Sequence, residues 1–161
     1  MVKILTYILI VIALFFANAG DSYAKDTQFD YRVGKLEAYL ESQKSPLADY
    51  AEEFIEYADT YDLDWRLVPA ITGVESSFGK RIPANSYNAY GWANGEYRFS
   101  SWEDSIEHVS MTLKTKYIDK GAPSINKIGK RYAPPSSTWA GKVKYFMGKI
   151  DKYPVYFQLE G

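Results

Sequence analysis

Apolar positions recur at helical spacing along most of this chain. Phe29, Val33, Leu36 and Leu40 predict a helix over about 26–44. Ser45-Pro46 then restarts the chain as N-cap and first helical residue. Leu47, Ala51, Phe54, Ala58 and Tyr61 share one face of a second helix. The stretch Asp64–Gly79 is different. Leu67, Val68, Ala70, Ile71 and Val74 cover most of its circumference, and a helix apolar nearly all round is buried. Asp64 is its expected N-cap, and Pro69 falls early, where a missing N–H does least harm. After a loop at Lys80–Asn88 the pattern changes. Asn94-Gly95, flanked by aromatic residues, predicts a two-stranded ribbon over about Ala89–Trp92 and Glu96–Phe99. Ser100 with Glu103, or Ser101 with Asp104, caps a helix whose stripe is Trp102, Ile106, Val109, Leu113 and Tyr117. Beyond Gly121-Ala122-Pro123, Ile125, Ile128 and Tyr132 mark a fifth helix, stopped by Pro134-Pro135. Trp139, Val143, Phe146 and Ile150 mark the last. The expected fold is mainly α (α+β), with one small β-hairpin.

Length and composition sharpen this picture. The chain has 161 residues and a net charge of −1, which suits one domain with a sizeable core. Residues 1–24 read as a secretory signal peptide: Lys3, an apolar run, then small residues, with cleavage expected after Ala24. Residues 25–161 form the mature domain, secreted or in the cell envelope and free of the membrane once the leader is removed. There is no cysteine, so neither a disulfide framework nor a thiolate metal site is available, and one histidine makes no zinc site. Residues 30–64 carry ten acidic against three basic side chains, read as a solvated face. Residues 114–152 carry ten basic against two acidic ones. The positive charges are spread over several helices of a near-neutral chain, which argues against nucleic acid. Attraction to an anionic polymer remains open.

Glu75 is the residue with the most chemical promise. It continues the apolar stripe of Val68 and Ile71, yet its helix ends just beyond it at Ser76-Ser77-Phe78-Gly79. A carboxyl in that position must be paired, neutral or facing a cleft, and such an environment suits proton transfer. The next segment is rich in rings: Tyr87, Tyr90, Trp92, Tyr97, Phe99 and Trp102. Such rings stack on flat apolar faces, including those of sugars, although alternation along a ribbon sends about half of them inward. Glu96 is the only acid between Glu75 and Glu103, either a second catalytic carboxylate or an exposed ribbon residue. His108 lies mid-helix and reads as a packed or surface residue. No metal cluster, phosphate loop or other cofactor motif is present, so no cofactor is expected.

Three segments occur in order: Glu75-Ser76-Ser77-Phe78-Gly79, Asn88-Ala89-Tyr90-Gly91-Trp92, and Phe99-Ser100-Ser101-Trp102 followed by Ser105-Ile106-Glu107-His108. Together they resemble the bacterial glucosaminidase branch of the lysozyme-like superfamily, and the first is similar to the opening motif of lytic transglycosylases. The resemblance covers about Asp59–Tyr117. It implies a helical domain with a small β-hairpin beside an active-site cleft. It also implies a monomer acting on the β-1,4 bonds of peptidoglycan glycan strands, with Glu75 as general acid. Ser86, Asn88, Tyr90, Trp92 and Tyr97 are the substrate-binding residues it suggests, with Glu96 as the second acid unless the substrate's N-acetyl group takes that role. Asn88–Trp92 departs from the transglycosylase pattern, which favours hydrolysis over an anhydro-sugar product. A catalytically idle wall-binding domain and a protein-binding helical module are the other readings.

Overall fold

The helix Leu67–Ser76 is almost wholly enclosed: every residue from Leu67 to Gly73 is buried. The other elements are arranged around it. A computed structural model describes residues 30–155; the expected leader lies outside that range. Among the described residues there are six α-helices: α1 (Tyr31–Ser42), α2 (Ala51–Thr60), α3 (Leu67–Ser76), α4 (Trp102–Thr112), α5 (Ile125–Tyr132) and α6 (Trp139–Asp151). A 3-10 turn, Ala48–Tyr50, leads into α2, and a wider π-type turn, Leu113–Ile118, extends α4. The enclosed helix α3 packs most extensively on α6 and also touches α2 and α4, while α1 packs on α2 and α5 on α6. Among these described residues no helix is long and apolar enough to cross a membrane.

Local chemistry accounts for the boundaries. Asp30 caps α1 through the amide of Arg32. Ser101 caps α4: its hydroxyl accepts from the amide of Asp104, whose carboxylate in turn accepts from Ser100 N at 2.8 Å. The reciprocal bond of the box is thus displaced by one residue. Asp64 stands two residues before the N-cap, Arg66, rather than being the N-cap itself: it accepts from Arg66 N at 3.0 Å. Arg66 also reaches Asp151 at 2.8 Å, tying the start of α3 to the end of α6. That pair is exposed and contributes at most about 1 kcal/mol.

The expected β-hairpin is absent: the described residues contain no strand. The reason lies in the backbone of residues 88–99. Gly91 is already left-handed (φ 67, ψ 22), which breaks the expected first strand before its end. Ala93, Asn94 and Gly95 are all left-handed, and Glu96 N donates to Ala93 O at 3.1 Å, so the turn at Asn94-Gly95 does form, but Glu96 is helical at the start of the expected second strand. The side chain of Asn88 then takes the place of a ladder. Its amide donates to Trp92 O at 2.9 Å and Tyr97 O at 3.0 Å, and its oxygen accepts from Trp92 N at 2.9 Å. Backbone groups that cross-strand partners would have satisfied are held by one buried carboxamide. The fold is therefore helical with a side-chain-tied loop, and the lysozyme-like domain with a ribbon is corrected accordingly.

Asn88→Ala removes all three bonds from a buried position. We expect a loss of roughly 2–3 kcal/mol, a few net hydrogen bonds with some access of water to the freed groups. Urea unfolding checks it; an unchanged midpoint would show that the loop holds itself.

Candidate active site

The end of α3 is shaped by three consecutive left-handed residues, Ser77, Phe78 and Gly79. Phe78 N donates to Thr72 O at 3.0 Å, closing the helix. The buried Ser76 hydroxyl bonds to Thr72 O and Ala89 O and accepts from Gly79 N, so it stitches the helix end to the loop that follows. Glu75 therefore sits one residue before a rigid stop, and its side chain leaves the core there, half-buried.

One carboxylate oxygen, Oε1, accepts the indole N–H of Trp139 at 2.6 Å. The other faces Gly91, where a Cβ would stand 3.2 Å from Oε2. Gly91 is required twice here, for its positive φ and for this close approach. Trp139 is buried and stacks on Tyr132, with ring centroids 5.0 Å apart at 27°. The Tyr132 hydroxyl donates to Tyr90 O at 2.7 Å. Glu75, Trp139, Tyr132 and the Tyr90 backbone thus form one connected array from α3, α5, α6 and the loop.

The electrostatics follow from this geometry. Burial pushes the Glu75 carboxyl above its ordinary value of 4.5, against the Trp139 hydrogen bond and the positive charge of Lys142, which pull it down. Burial, with the Glu75 carboxylate adding to it, also holds the Tyr132 phenol well above 10, so it stays a donor. Glu96 is exposed at the end of the loop turn.

Beside this array lies a pocket of about 250 Å³ lined by Tyr90, Gly91, Trp92, Ala93, Asn94, Tyr117 and Tyr132. That is just below the usual range for small-ligand pockets, ~300–1,000 Å³. Tyr90 contributes from a buried position, only 1% exposed, and its hydroxyl has no hydrogen-bond partner among the described residues. Trp92 lines the pocket and packs edge-on against His108 at 5.5 Å. Tyr97 is exposed and packs on Phe99 and His108, outside the pocket lining. Ser86 and Asn88 are buried: Ser86 accepts from Asn88 N at 3.2 Å, and Asn88 ties the loop. The structure brings Glu75, Gly91, Tyr90 and Trp92 together, while the side chains of Glu96 and Tyr97 are exposed and do not line the pocket. Among the described residues no three His, Asp or Glu side chains converge as metal ligands would.

Tyr117, Tyr132, Trp139 and Lys142 were invisible as site residues in the sequence. Tyr117, Tyr132 and Trp139 fall on core stripes, and Lys142 belongs to a diffuse basic half. A signal existed for Trp139: a buried indole N–H needs an acceptor, and Glu75 is the acid that the pattern brings to the core edge. No protein-family model matches this chain, and a search of curated proteins found no match.

Proposed function

We propose that this chain is an exported glycosidase that cuts β-1,4 bonds in peptidoglycan glycan strands, with Glu75 as its general acid. One observation carries the reading. Glu75 is a desolvated carboxyl held by a single indole donor at 2.6 Å, next to a pocket walled by Trp92, Tyr117 and Tyr132. A glycosidic oxygen leaves only when protonated. A carboxyl whose anion is disfavoured keeps its proton nearer neutral pH and delivers it as the bond breaks. The rings of Trp92, Tyr117 and Tyr132 offer faces on which a sugar can stack.

Glu96 is exposed and does not line the pocket, so we assign the second half of the reaction to the substrate. As the C–O bond breaks, the leaving oxygen takes the Glu75 proton and the neighbouring acetamido oxygen bonds to the anomeric carbon. Glu75, now a carboxylate, then takes a proton from the water that opens this intermediate, which completes hydrolysis. A second reading, capture by the sugar's own primary hydroxyl to give an anhydro product, is favoured by the same lone carboxylate. Zymography on cell-wall material tests activity, and the masses of the fragments separate the two products by one water. A folded protein that binds wall material without cutting it would instead be an idle binding domain.

Two further outcomes are expected. Trp139→Phe keeps a ring against Tyr132 but deletes the donor to Glu75. A donor stabilises the anion, so its loss raises the Glu75 pKa further. The limb on which rate falls with rising pH then moves to higher pH, as a pH–rate profile of the variant would record. An unmoved limb would mean that this hydrogen bond does not set the acid. Trp92→Ala should weaken glycan binding by roughly 1–1.5 kcal/mol, the scale of one ring contact, measured by calorimetry with a short oligosaccharide.

A further inference from the structure

The outer face of α6 is built unlike the rest of the molecule. Four glycines show the contrast. A Cβ on Gly73 would meet the Phe78 ring at 2.6 Å, and one on Gly129 would meet Trp139 at 2.9 Å, so packing inside the chain demands both. Gly141 and Gly148 lie in the 13-residue helix α6, and a Cβ there would meet nothing within 4 Å. Neither has the positive φ that would require glycine. Glycine in a helix interior is unfavourable relative to alanine, and nothing within the described fold offsets that here. Between them stands Tyr145, 59% exposed, with its ring against Phe146 at 5.3 Å and the Lys149 ammonium 5.4 Å from its centre.

Gly141 and Tyr145 border an open groove of about 580 Å³, whose other lining residues are Thr138, Lys142 and Phe146. The groove lies on α6, the helix that holds the candidate acid. Lys142 lines it and also acts electrostatically on Glu75, and Trp139 on the same helix donates to Glu75. Its lining offers a bare stretch of helix, an exposed aromatic face and the Lys142 ammonium, and the Lys149 ammonium stands against the Tyr145 ring at its edge.

We propose that this groove holds the part of the glycan strand that runs on from the bond cut. A sugar face lies on Tyr145, the chain passes close over the Cβ-free backbone at Gly141, and the strand's carboxylates meet Lys142 and Lys149. The inference rests on the glycosidase reading. Polymer and short oligosaccharide differ in this groove: a fragment that fills only the pocket beside Glu75 does not reach it. Tyr145, Gly141 and Lys149 therefore act on retention of the polymer, and Gly141 serves clearance rather than packing.

The test uses the full chain carrying Glu75→Gln, so that bound wall glycan stays uncut. Retention on insoluble wall glycan is measured for this protein and for the same protein with Tyr145→Ala, Gly141→Gln or Lys149→Gln added. Tyr145→Ala should lower retention about two- to tenfold, the range of one stacking contact. Gly141→Gln should lower it while leaving the melting temperature unchanged or raised, because the helix gains propensity and nothing crowds the new side chain. A structural glycine would give the opposite pattern, a lower melting temperature. Lys149→Gln should reduce the salt dependence of retention. If otherwise wild-type protein lyses walls and all three substitutions leave retention unchanged, the groove is overturned and the glycosidase reading stands. If wild-type protein neither lyses nor retains wall glycan, both are overturned.

Discussion

Glu75→Gln is expected to reduce cell-wall lysis by on the order of a hundredfold or more, the usual scale for losing an acid catalyst, while making the folded protein more stable at neutral pH. The first effect follows because an amide cannot donate a proton to the leaving oxygen. The second follows from linkage. Burial raises the folded-state pKa of Glu75 above its ordinary 4.5, so the folded chain holds the proton more tightly than the unfolded chain does. The associated stability is fully present below about 4.5 and is lost as pH rises through the folded-state pKa. Glutamine keeps the acceptor for Trp139 and carries no charge, so the variant loses nothing over that window. Melting temperatures of the two proteins should converge in acid and separate with rising pH, the variant being higher. Wild-type activity should fall over the same range in which its stability falls. Lysis by a well-folded Glu75→Gln protein at near the wild-type rate would end the assignment. Melting curves that stay superimposed at all pH values would show that Glu75 is not desolvated.

The helical framework was legible because helices advertise themselves by period. The stripes through Leu36 and Leu40, through Ile106 and Val109, and through Val143 and Ile150 all belong to buried faces. The all-round apolar helix at Leu67–Ser76 is the centre of the domain. The ribbon failed for a local reason. Asn94-Gly95 signals a turn, and a left-handed turn did form there, closed by Glu96 N on Ala93 O, but no strand runs on from it. Whether strands follow a turn depends on what satisfies the backbone beside it, and here the Asn88 carboxamide does. No pattern in the sequence shows that one side chain will replace a ladder.

The candidate site was legible only in part, for the same kind of reason. Glu75 could be found because its register with Val68 and Ile71 is a property of one helix. Its partners could not, because Trp139 lies 64 residues away and meets it only when α3 packs on α6. Tyr132 reaches the site through a stack on Trp139, and that contact also depends on packing between helices. Tyr90 looked like a contact residue because it is aromatic and follows the acid. It borders the pocket from a core position, and its backbone carbonyl anchors Tyr132.

Gly73→Ala is where two opposed effects on stability can be weighed directly. On helix propensity alone, alanine inside α3 should stabilise by about 1 kcal/mol. Sterics oppose this. The new Cβ would lie 2.6 Å from Phe78 Cζ, 2.7 Å from Cε1 and 3.1 Å from Phe146 Cδ2. A ring edge can sometimes swing aside, but Phe78 is only 3% exposed. It is held edge-on by Tyr39 at 5.6 Å and by Phe146 at 5.0 Å. Its own backbone is left-handed between two other left-handed residues. Overpacking of this kind costs roughly 1–3 kcal/mol or more, so the steric effect wins and the variant should be less stable. The displacement also has a direction that matters for chemistry. Phe78 belongs to the turn that ends α3, and that turn fixes Ser76 and Gly79 directly after Glu75. Pushing the ring shifts the helix end relative to Trp139, lengthening a 2.6 Å hydrogen bond whose partners lie on different helices. Activity at a temperature where the variant is still fully folded should therefore drop several-fold, and Phe78→Leu in the same chain, by relieving the clash, should restore part of both losses. A more stable Gly73→Ala protein with full activity would show that Phe78 moves freely and that the turn does not position the acid.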